Sequence, residues 1–222
     1  MSGGWLRPAV FGAMDGLVTN VSLISGVGGG GGSQHAILLT GLAGLAAGAF
    51  SMAAGEFVSV SSQNELVQAE VDKERHELTN NAAAEQMELV GMLRRQGMSV
   101  ATARQAAAEI SAHPEKALAV HALEELGVNP SELPSPFVAA GASLVSFAIG
   151  AIIPLLPYAL GFDALGVALG LSALAAIVGG GLVARLTGRS FLRGALRQLV
   201  LGTLAAGITY LIGLAVGGMA AG

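Results

Sequence analysis

Two pairs of glutamates have a spacing that could bind a cation. Glu74/Glu77 and Glu85/Glu88 are each three positions apart, which on a helix places both carboxylates on one face at repelling distance. A salt-bridge surface would relieve the repulsion, and the basic residues available for it are Lys73, Arg75, Arg94 and Arg95. A divalent cation would also relieve it, because hard and borderline ions take clustered carboxylate oxygens. The spacing alone leaves both interpretations open.

Asp15 is an acidic residue in the middle of an apolar run. It belongs to a stripe of small and polar residues three or four positions apart: Pro8, Gly12, Asp15, Thr19, Ser22 and Gly26. A carboxylate at the bilayer centre costs on the order of 2.5–3.5 kcal/mol, so Asp15 should face a helix-bundle interior or a water-filled path. A neutral acid bonded to a neighbouring helix is the structural alternative. We favour a functional role, because ionisable residues inside membranes are functional by default.

The second apolar run adds Met52 and Glu56 as candidates. A methionine alone usually fills a gap in a core, so Met52 has little weight by itself. If the helix of this run continues without a break, one side of it carries Glu56, Gln63, Glu70, Glu74 and Glu77. Such a helix would connect an apolar segment to the first glutamate pair.

The elements that position these residues are predicted to be membrane helices. The chain has 222 residues, of which 53% are hydrophobic and 12% charged, whereas soluble domains carry about 25% charged residues. Five apolar runs of about 20 residues or more can each cross a hydrocarbon core of ~30 Å, namely 8–28, 36–59, 136–157, 161–184 and 194–217. No cysteine is present, which excludes disulfide scaffolds, iron–sulfur clusters and thiol catalysis.

Residues 60–135 differ in composition and predict an aqueous domain. They contain twelve of the fifteen acidic residues and three of the four histidines. Helical patterns broken near Asn80, Gly97, His113 and Gly127 indicate three or four helices. We therefore divide the chain into 1–59 with membrane helices 1 and 2, 60–135 as an inserted helical domain, and 136–222 with membrane helices 3 to 5.

The basic residues predict the orientation. All eleven fall on one side of the membrane if five spans are threaded. By the positive-inside rule that side is the cytoplasm, so the amino terminus and residues 60–135 are expected there and the carboxy terminus outside. With no organellar targeting segment and an overall bacterial character, we expect a bacterial plasma membrane.

Three segments together resemble the vacuolar iron transporter family, which includes nodulin-21-like and bacterial members. The run 12–20, GAMDGLVTN, followed by Ser25-Gly26-Val27, is similar to the first-helix signature of that family. Residues 55–63, GEFVSVSSQ, resemble the end of its second helix, and 153–158, IPLLPY, its third. The resemblance covers nearly the whole chain, and the three motifs together are highly specific.

The resemblance implies a fold, an activity and a set of site residues. Members are five-span dimers that move Fe²⁺, and in some cases Mn²⁺, out of the cytosol in exchange for protons, and a cytoplasmic helical domain gathers the metal. Asp15 and Met52 match the membrane path of the family, and Glu56 is our candidate relay at its cytoplasmic mouth. The glutamates that match the metal-binding domain are Glu74, Glu77, Glu85, Glu88 and Glu125.

Two departures from the family pattern affect the expected site. His121 and Ala122 replace a methionine pair just before Glu125, and imidazole in place of thioether hardens the site. His121 is therefore a candidate ligand. The family is also known with an additional acid earlier in span two, and no acid is present around Gly44.

The expected substrate is Fe²⁺, with Mn²⁺, Zn²⁺ and Co²⁺ as alternatives, and no resident cofactor is expected. Protons, membrane lipid and a second copy of the chain are the expected partners, and nucleic acid is not. A di-iron oxidase is one competing hypothesis, although no glutamate has a histidine three residues later as such centres typically require. A membrane-anchored metal sensor or buffer is the other, and it would leave Asp15 without a purpose. We therefore predict a transporter and not an enzyme.

Overall fold

The computed structural model describes residues 4–162 and 164–220, and in these residues it is helical, with no β-strand. The helices are α1 (Leu6–Gly29), α2 (Gln34–Asn80), α3 (Ala82–Arg95), α4 (Val100–Ser111), α5 (Pro114–Glu125), α6 (Pro136–Ile152), α7 (Leu156–Ala159), α8 (Leu165–Leu186) and α9 (Phe191–Ala220). A 3-10 turn, Ile153–Leu155, joins α6 to α7. The predicted all-helical class is confirmed.

Five of these helical segments are long and apolar enough to cross a membrane. They are Leu6–Gly29, Gln34–Asn80, Pro136–Ala159, Leu165–Leu186 and Phe191–Met219. Each overlaps one of the five predicted apolar runs, which supports a membrane protein. The number of membrane crossings stays a prediction, because the length and composition of a helix show only that it is able to cross a membrane.

The chain divides into two compact units. One contains the residues up to Val58 together with those from Pro136 onward, and the other contains Ser59–Ser135. The long helix α2 is unbroken from Gln34 to Asn80, so it contributes its first part to one unit and its last part to the other. The sequence had left open whether this helix continues, and the structure shows that it does.

In the first unit α1 packs against α6, α8 and α9. Its contact with α6 is close, because a Cβ on Gly12 or Gly16 would collide with α6 and one on Gly150 would collide with the carbonyl of Ala13. Helices α8 and α9 approach in the same way through Gly180 and Gly194. Small residues let membrane helices pack by direct backbone approach, since burial of apolar surface gives little driving force in lipid.

In the second unit four helical segments form two small cores. Helices α3 and α4 meet through Leu89, Leu93, Ala103 and Ala107. The last turns of α2 meet α5 through Val71, Leu118 and Ala122. The helices end at the predicted breaks, where Gly97 takes a φ of 100° that only glycine adopts readily and Pro114 begins α5.

A glycine-rich turn follows the first span. The predicted apolar run ends at residue 28, whereas α1 continues to Gly29 and the chain reverses over residues 30–33. Gly29 is needed inside the helix, because a Cβ there would collide with the backbone carbonyl of Tyr210 on α9. Gly31, with a φ of 76°, makes the reversal.

Candidate metal centre

Three helices of the second unit bring the predicted ligands together. Glu74 and Glu77 lie near the end of α2, Glu85 lies in the first turn of α3, and His121 lies on α5. Only Asn81 separates α2 from α3, so the chain reverses there and both glutamate pairs come close to each other. Glu125 is four residues after His121 and shares its face of α5.

His121 is the centre of this cluster. Its side chain is fully buried, and Nδ1 lies 2.8 Å from Glu74 Oε1, 3.4 Å from Glu125 Oε1 and 3.7 Å from Glu85 Oε2. The exposed fractions of the three glutamate side chains are 11% for Glu74, 35% for Glu125 and 6% for Glu85. Three carboxylates from three helices therefore converge on one buried nitrogen.

The polar atoms of this cluster lack hydrogen bonds. Both ring nitrogens of His121, Glu74 Oε1 and Glu85 Oε2 are buried without a hydrogen-bond partner. Buried polar groups without partners are rare in native proteins, and a site that is built to bind an ion is one of the usual reasons. In each of two groups of these side chains the potential ligand atoms lie within 4.8 Å of one another, which is close enough to share an ion.

Two groups of potential ligands share Glu74. Glu74, His121 and Glu125 form one group and Glu74, Glu77 and Glu85 form the other, with the ligand atoms of each within 4.8 Å of one another. A carboxylate has two oxygens and can serve both groups at once. The arrangement is thus able to hold one ion in each group with Glu74 between them.

Burial and like charge raise the pKa of two of these glutamates. Desolvation by burial, followed by the nearby Glu125 carboxylate, raises the pKa of Glu74 from 4.5 to about 7, against a smaller opposing effect of His121. Burial also raises the pKa of Glu85, and Glu88 is the next largest cause. Carboxyl groups whose charged form is unfavourable in the metal-free protein gain most from a cation, because the cation removes that cost.

The basic residues proposed as an alternative do not neutralise the cluster. Lys73 lies 4.0 Å from Glu70 and Arg75 lies 2.9 Å from Asp72, and both pairs are solvent-exposed. In the described part of the chain, Arg94 and Arg95 form no ion pair. The salt bridges of Lys73 and Arg75 therefore involve other acids, and His121 is the one basic side chain paired with the glutamates of the cluster in the described residues.

A small polar cavity adjoins the cluster. It has a volume of about 150 Å³, and its wall includes Glu77, Glu88 and Glu125. Glu88 lies on this wall and in neither ligand group, so it differs from the other predicted ligands. Glu70 also lines the cavity, whereas His76 is exposed and belongs to neither group.

In the first unit Asp15 is half-buried on α1. The Thr19 hydroxyl donates to Asp15 Oδ1 at 3.5 Å, one turn along the same helix. Two glycines of the predicted polar stripe pack against different helices, Gly12 against α6 and Gly26 against α9. Asp15 and Thr19, which lie between them, are half-buried and partly accessible.

The other two predicted path residues lie on α2. Met52 is half-buried and packs on a cluster formed by Ala49, Phe147 and Ala151. Glu56, one turn later, is half-buried, and among the described residues it has no ion pair or hydrogen bond. Neither residue has a recorded contact with Asp15, so within one chain the three form no single ligand group.

Sequence reasoning missed Asn20. Its side chain is completely buried and donates two hydrogen bonds, to the Gly41 carbonyl on α2 at 3.1 Å and to the Ala151 carbonyl on α6 at 2.7 Å. An amide in the middle of an apolar helix must find partners on neighbouring helices. That rule would have singled out Asn20, although it could not have named the two partners.

Comparison with known proteins identifies the family. The model of the VIT family matches residues 6–214. The chain is 37% identical to "Vacuolar iron transporter" of Acanthamoeba castellanii, over 95% of this chain and 78% of that protein. It is 36% identical to "Vacuolar iron transporter homolog 1" of Oryza sativa subsp. japonica, over 93% and 71% of the two chains. It is 34% identical to "Vacuolar iron transporter homolog 3" of Arabidopsis thaliana, over 93% and 80%.

The matched region includes the membrane helices, the glutamate pairs and His121. The resemblance inferred from three sequence motifs is thereby confirmed. The relatives are named transporters, which agrees with the prediction that the protein is not an enzyme. The chain belongs to the VIT family.

Proposed function

We propose that this protein moves divalent metal ions out of the cytosol in exchange for protons, with Fe²⁺ as the main substrate and Mn²⁺ as a second. The observation that carries the proposal is the convergence of three carboxylates on the buried His121, with four buried polar atoms left without partners. The names of the relatives support metal transport and favour iron.

The donor set supports the choice of ion. Imidazole suits iron, zinc, nickel and copper, and carboxylate suits manganese and other hard ions. The cluster mixes one imidazole nitrogen with carboxylate oxygens and contains no thiolate, which fits Fe²⁺, Mn²⁺, Co²⁺ and Zn²⁺ better than soft monovalent copper.

The proposed path begins at the cluster and continues in the membrane. Glu74, Glu77, Glu85 and Glu125 with His121 collect the ion, while Glu88 on the cavity wall attracts it. Glu56 then relays the ion to Met52 and Asp15, which face a second copy of the chain across a dimer interface. The half-buried positions of these three side chains support this role, because a path residue must be accessible to the ion.

Proton exchange follows from the same chemistry. A carboxyl group must lose its proton before it binds metal, so each loading of Asp15 displaces a proton that can return when the ion leaves. The proposed orientation places residues 60–135 in the cytoplasm and the carboxy terminus outside, in a bacterial plasma membrane. The distribution of the eleven basic residues supports this orientation.

Uptake into proteoliposomes tests the proposal. Purified protein is reconstituted with a metal-sensitive dye or a pH-sensitive dye inside, and Fe²⁺, Mn²⁺, Zn²⁺ and Co²⁺ are compared with and without a proton gradient. We expect metal entry with matching proton exit for Fe²⁺ and Mn²⁺, and no flux in an Asp15→Asn variant that still binds metal. Thr203→Val, at an exposed position of α9, is the control and should retain flux.

Three results would overturn the proposal or part of it. Binding of ions by the purified protein without flux for any of them would favour a sensor or buffer. Flux without movement of protons would leave a metal transporter but remove the exchange mechanism. Full transport by Asp15→Asn would remove Asp15 from the path.

A further inference from the structure

Asn20 joins three helices of the first unit through one side chain. Both N–H groups of its amide are used, one for the Gly41 carbonyl on α2 and one for the Ala151 carbonyl on α6. The side chain is completely buried, and its Oδ1 has no hydrogen-bond partner in the described residues, so the two N–H contacts offset the cost of burying the amide. α1, α2 and α6 are therefore connected at one point by directional contacts.

The Ala151 carbonyl is available because of the proline that follows. The regular helix α6 ends at Ile152 and continues as the 3-10 turn Ile153–Leu155. In a 3-10 turn the donor to Ala151 would be the nitrogen of Pro154, which carries no hydrogen. Asn20 supplies an N–H to this carbonyl. The amide on α1 therefore pairs a carbonyl that lacks its 3-10 donor at the break in α6.

The glycines of α2 give Asn20 the space to reach its backbone. A Cβ at Gly44 would lie 2.9 Å from Asn20 Oδ1 and would collide with the Leu23 side chain. A Cβ at Gly41 would collide with Leu155 and one at Gly48 with Phe147. A larger side chain at Gly44 would therefore have to displace Leu23 or Asn20.

The contact defines the register of two helices that carry proposed path residues. Helices α1 and α2 are joined by residues 30–33, and Asn20 and Gly41 lie at nearly equal distances from that turn along the chain, as in an antiparallel pair. Asp15 is five residues from Asn20, and Met52 is eleven residues from Gly41 on the same side of the contact. At ~1.5 Å per residue, Met52 lies roughly 9 Å further along the axis than Asp15.

We propose that Asn20 is a positioning residue of the membrane path: its amide holds α1 in register with α2 and so fixes the axial offset between Asp15 and Met52. This inference rests on the proposed function, because it assumes that an ion passes from one of these residues to the other. The offset makes them successive binding positions for the ion. A shift of one helix against the other would change the distance between these two positions without removing a ligand.

Distance measurement between α1 and α2 tests the register. The chain has no cysteine, so two cysteines at the exposed Phe11 and Phe50 can carry spin labels without removal of others. Double electron–electron resonance then gives the distance in the unaltered background, in Asn20→Leu and in Asn20→Asp. With the labelled chain diluted in an excess of unlabelled chain, so that only distances within one chain are measured, we expect one narrow distance in the first and a shifted or broadened distribution in both variants.

The aspartate variant distinguishes hydrogen bonding from simple packing. Asn20→Asp keeps the shape but presents a carboxylate to two carbonyl oxygens, and protonation restores one O–H donor. We expect its distance distribution to narrow towards the original as the pH falls, whereas Asn20→Leu stays broad at every pH. Unchanged distances in both variants would overturn the positioning role.

Flux measured on the same variants connects register to transport. We expect Asn20→Leu to lose most metal flux while the metal affinity of the glutamate cluster stays unchanged, and Ser51→Ala, at an exposed position of α2, to keep both. A shifted distance with full flux would overturn the link between register and path. If the unaltered protein shows no flux, the proposed function fails, and the distance data still decide whether Asn20 sets the register.

Discussion

His121 Nδ1 lies 2.8 Å from Glu74 Oε1, yet the two atoms make no hydrogen bond. The imidazole is fully buried and belongs to α5, whereas the carboxylate belongs to α2. Because Glu125 and Glu85 approach the same nitrogen at 3.4 and 3.7 Å, the contact is part of a converging set and not an isolated pair. This geometry makes the metal-binding properties of His121 the first feature to test.

Replacement of His121 by alanine should weaken metal binding. The variant removes the only imidazole of either ligand group in the described residues, so we expect the affinity for Fe²⁺, Co²⁺ and Zn²⁺ to fall roughly 10–100-fold. Isothermal titration of the purified protein measures the change. His76→Ala, at an exposed histidine outside both groups, is the control and should bind normally. Equal affinities in the two variants would show that His121 is not a ligand.

Glu74 should be the most sensitive glutamate of the cluster. It is the residue common to both ligand groups, so Glu74→Gln should lower the number of bound ions as well as the affinity, by at least about tenfold. Glu88→Gln should cost less, because Glu88 lines the cavity without joining either group. Metal counts by mass spectrometry give the stoichiometry, with the exposed Glu109→Gln as control. A larger loss in Glu88→Gln than in Glu74→Gln would contradict this assignment.

The metal-free protein should lose stability as the pH rises. The folded state raises the pKa of Glu74 from 4.5 to about 7, so it holds this proton more tightly than the unfolded chain does. The resulting stabilisation is complete below the unfolded pKa and disappears as the pH rises through about 7. Thermal unfolding should therefore occur at a lower temperature at about pH 8 than at about pH 5.

Added metal should reverse this trend. An ion bound to deprotonated Glu74 replaces the lost proton, so Mn²⁺ should raise the unfolding temperature more at high pH than at low pH. Glu74→Gln, which has no proton to lose, should show a flatter pH dependence and a smaller response to Mn²⁺. A metal-free protein that becomes more stable with rising pH would contradict the raised pKa.

The sequence predicted the chemistry of the cluster better than its geometry. The i,i+3 spacing of Glu74/Glu77 predicts that the two carboxylates share a face, and both do lie in one ligand group. The same spacing predicts that Glu85 and Glu88 also share a face and a role. In the structure Glu85 is buried against His121, whereas Glu88 is exposed. That difference depends on how α3 rotates when Leu89 and Leu93 pack on α4, which helical periodicity within one segment cannot specify.

The membrane helices show a similar limit. Apolar runs long enough to cross a bilayer predicted where each spanning segment lies, because length and composition are local properties of the chain. The choice of neighbours is not local. Asn20 bonds to carbonyls 21 and 131 positions away, and both partners are backbone atoms that carry no side-chain signature in the sequence.

Asp15→Asn should separate transport from metal collection. The amide keeps the shape of the side chain and its contact with Thr19 but cannot alternate between proton and metal. We expect flux to disappear, while the cluster on α2, α3 and α5 binds ions with unchanged affinity. Thr19→Val, which removes the hydroxyl that donates to Asp15, should reduce flux less than Asp15→Asn does. Lower ion affinity of the cluster in Asp15→Asn would instead indicate general damage to the protein.

Close packing of α1 on α6 leads to a stability prediction at two glycines of the same helix. A Cβ at Gly150 would collide with the carbonyl of Ala13, which belongs to backbone and cannot move aside, whereas a Cβ at Gly141 would meet nothing within 4 Å. Gly150→Ala should therefore destabilise the protein by about 1–3 kcal/mol through overpacking.

Gly141→Ala is the matched control, and its effect should have the opposite sign. Alanine is favoured over glycine inside a helix by roughly 0.5–1 kcal/mol, and no neighbour opposes the added methyl group. Thermal unfolding in the same detergent compares the two variants directly. Equal shifts of the unfolding temperature in both variants would mean that helix propensity alone decides the outcome. Such a result would contradict the close contact between Gly150 and the Ala13 carbonyl.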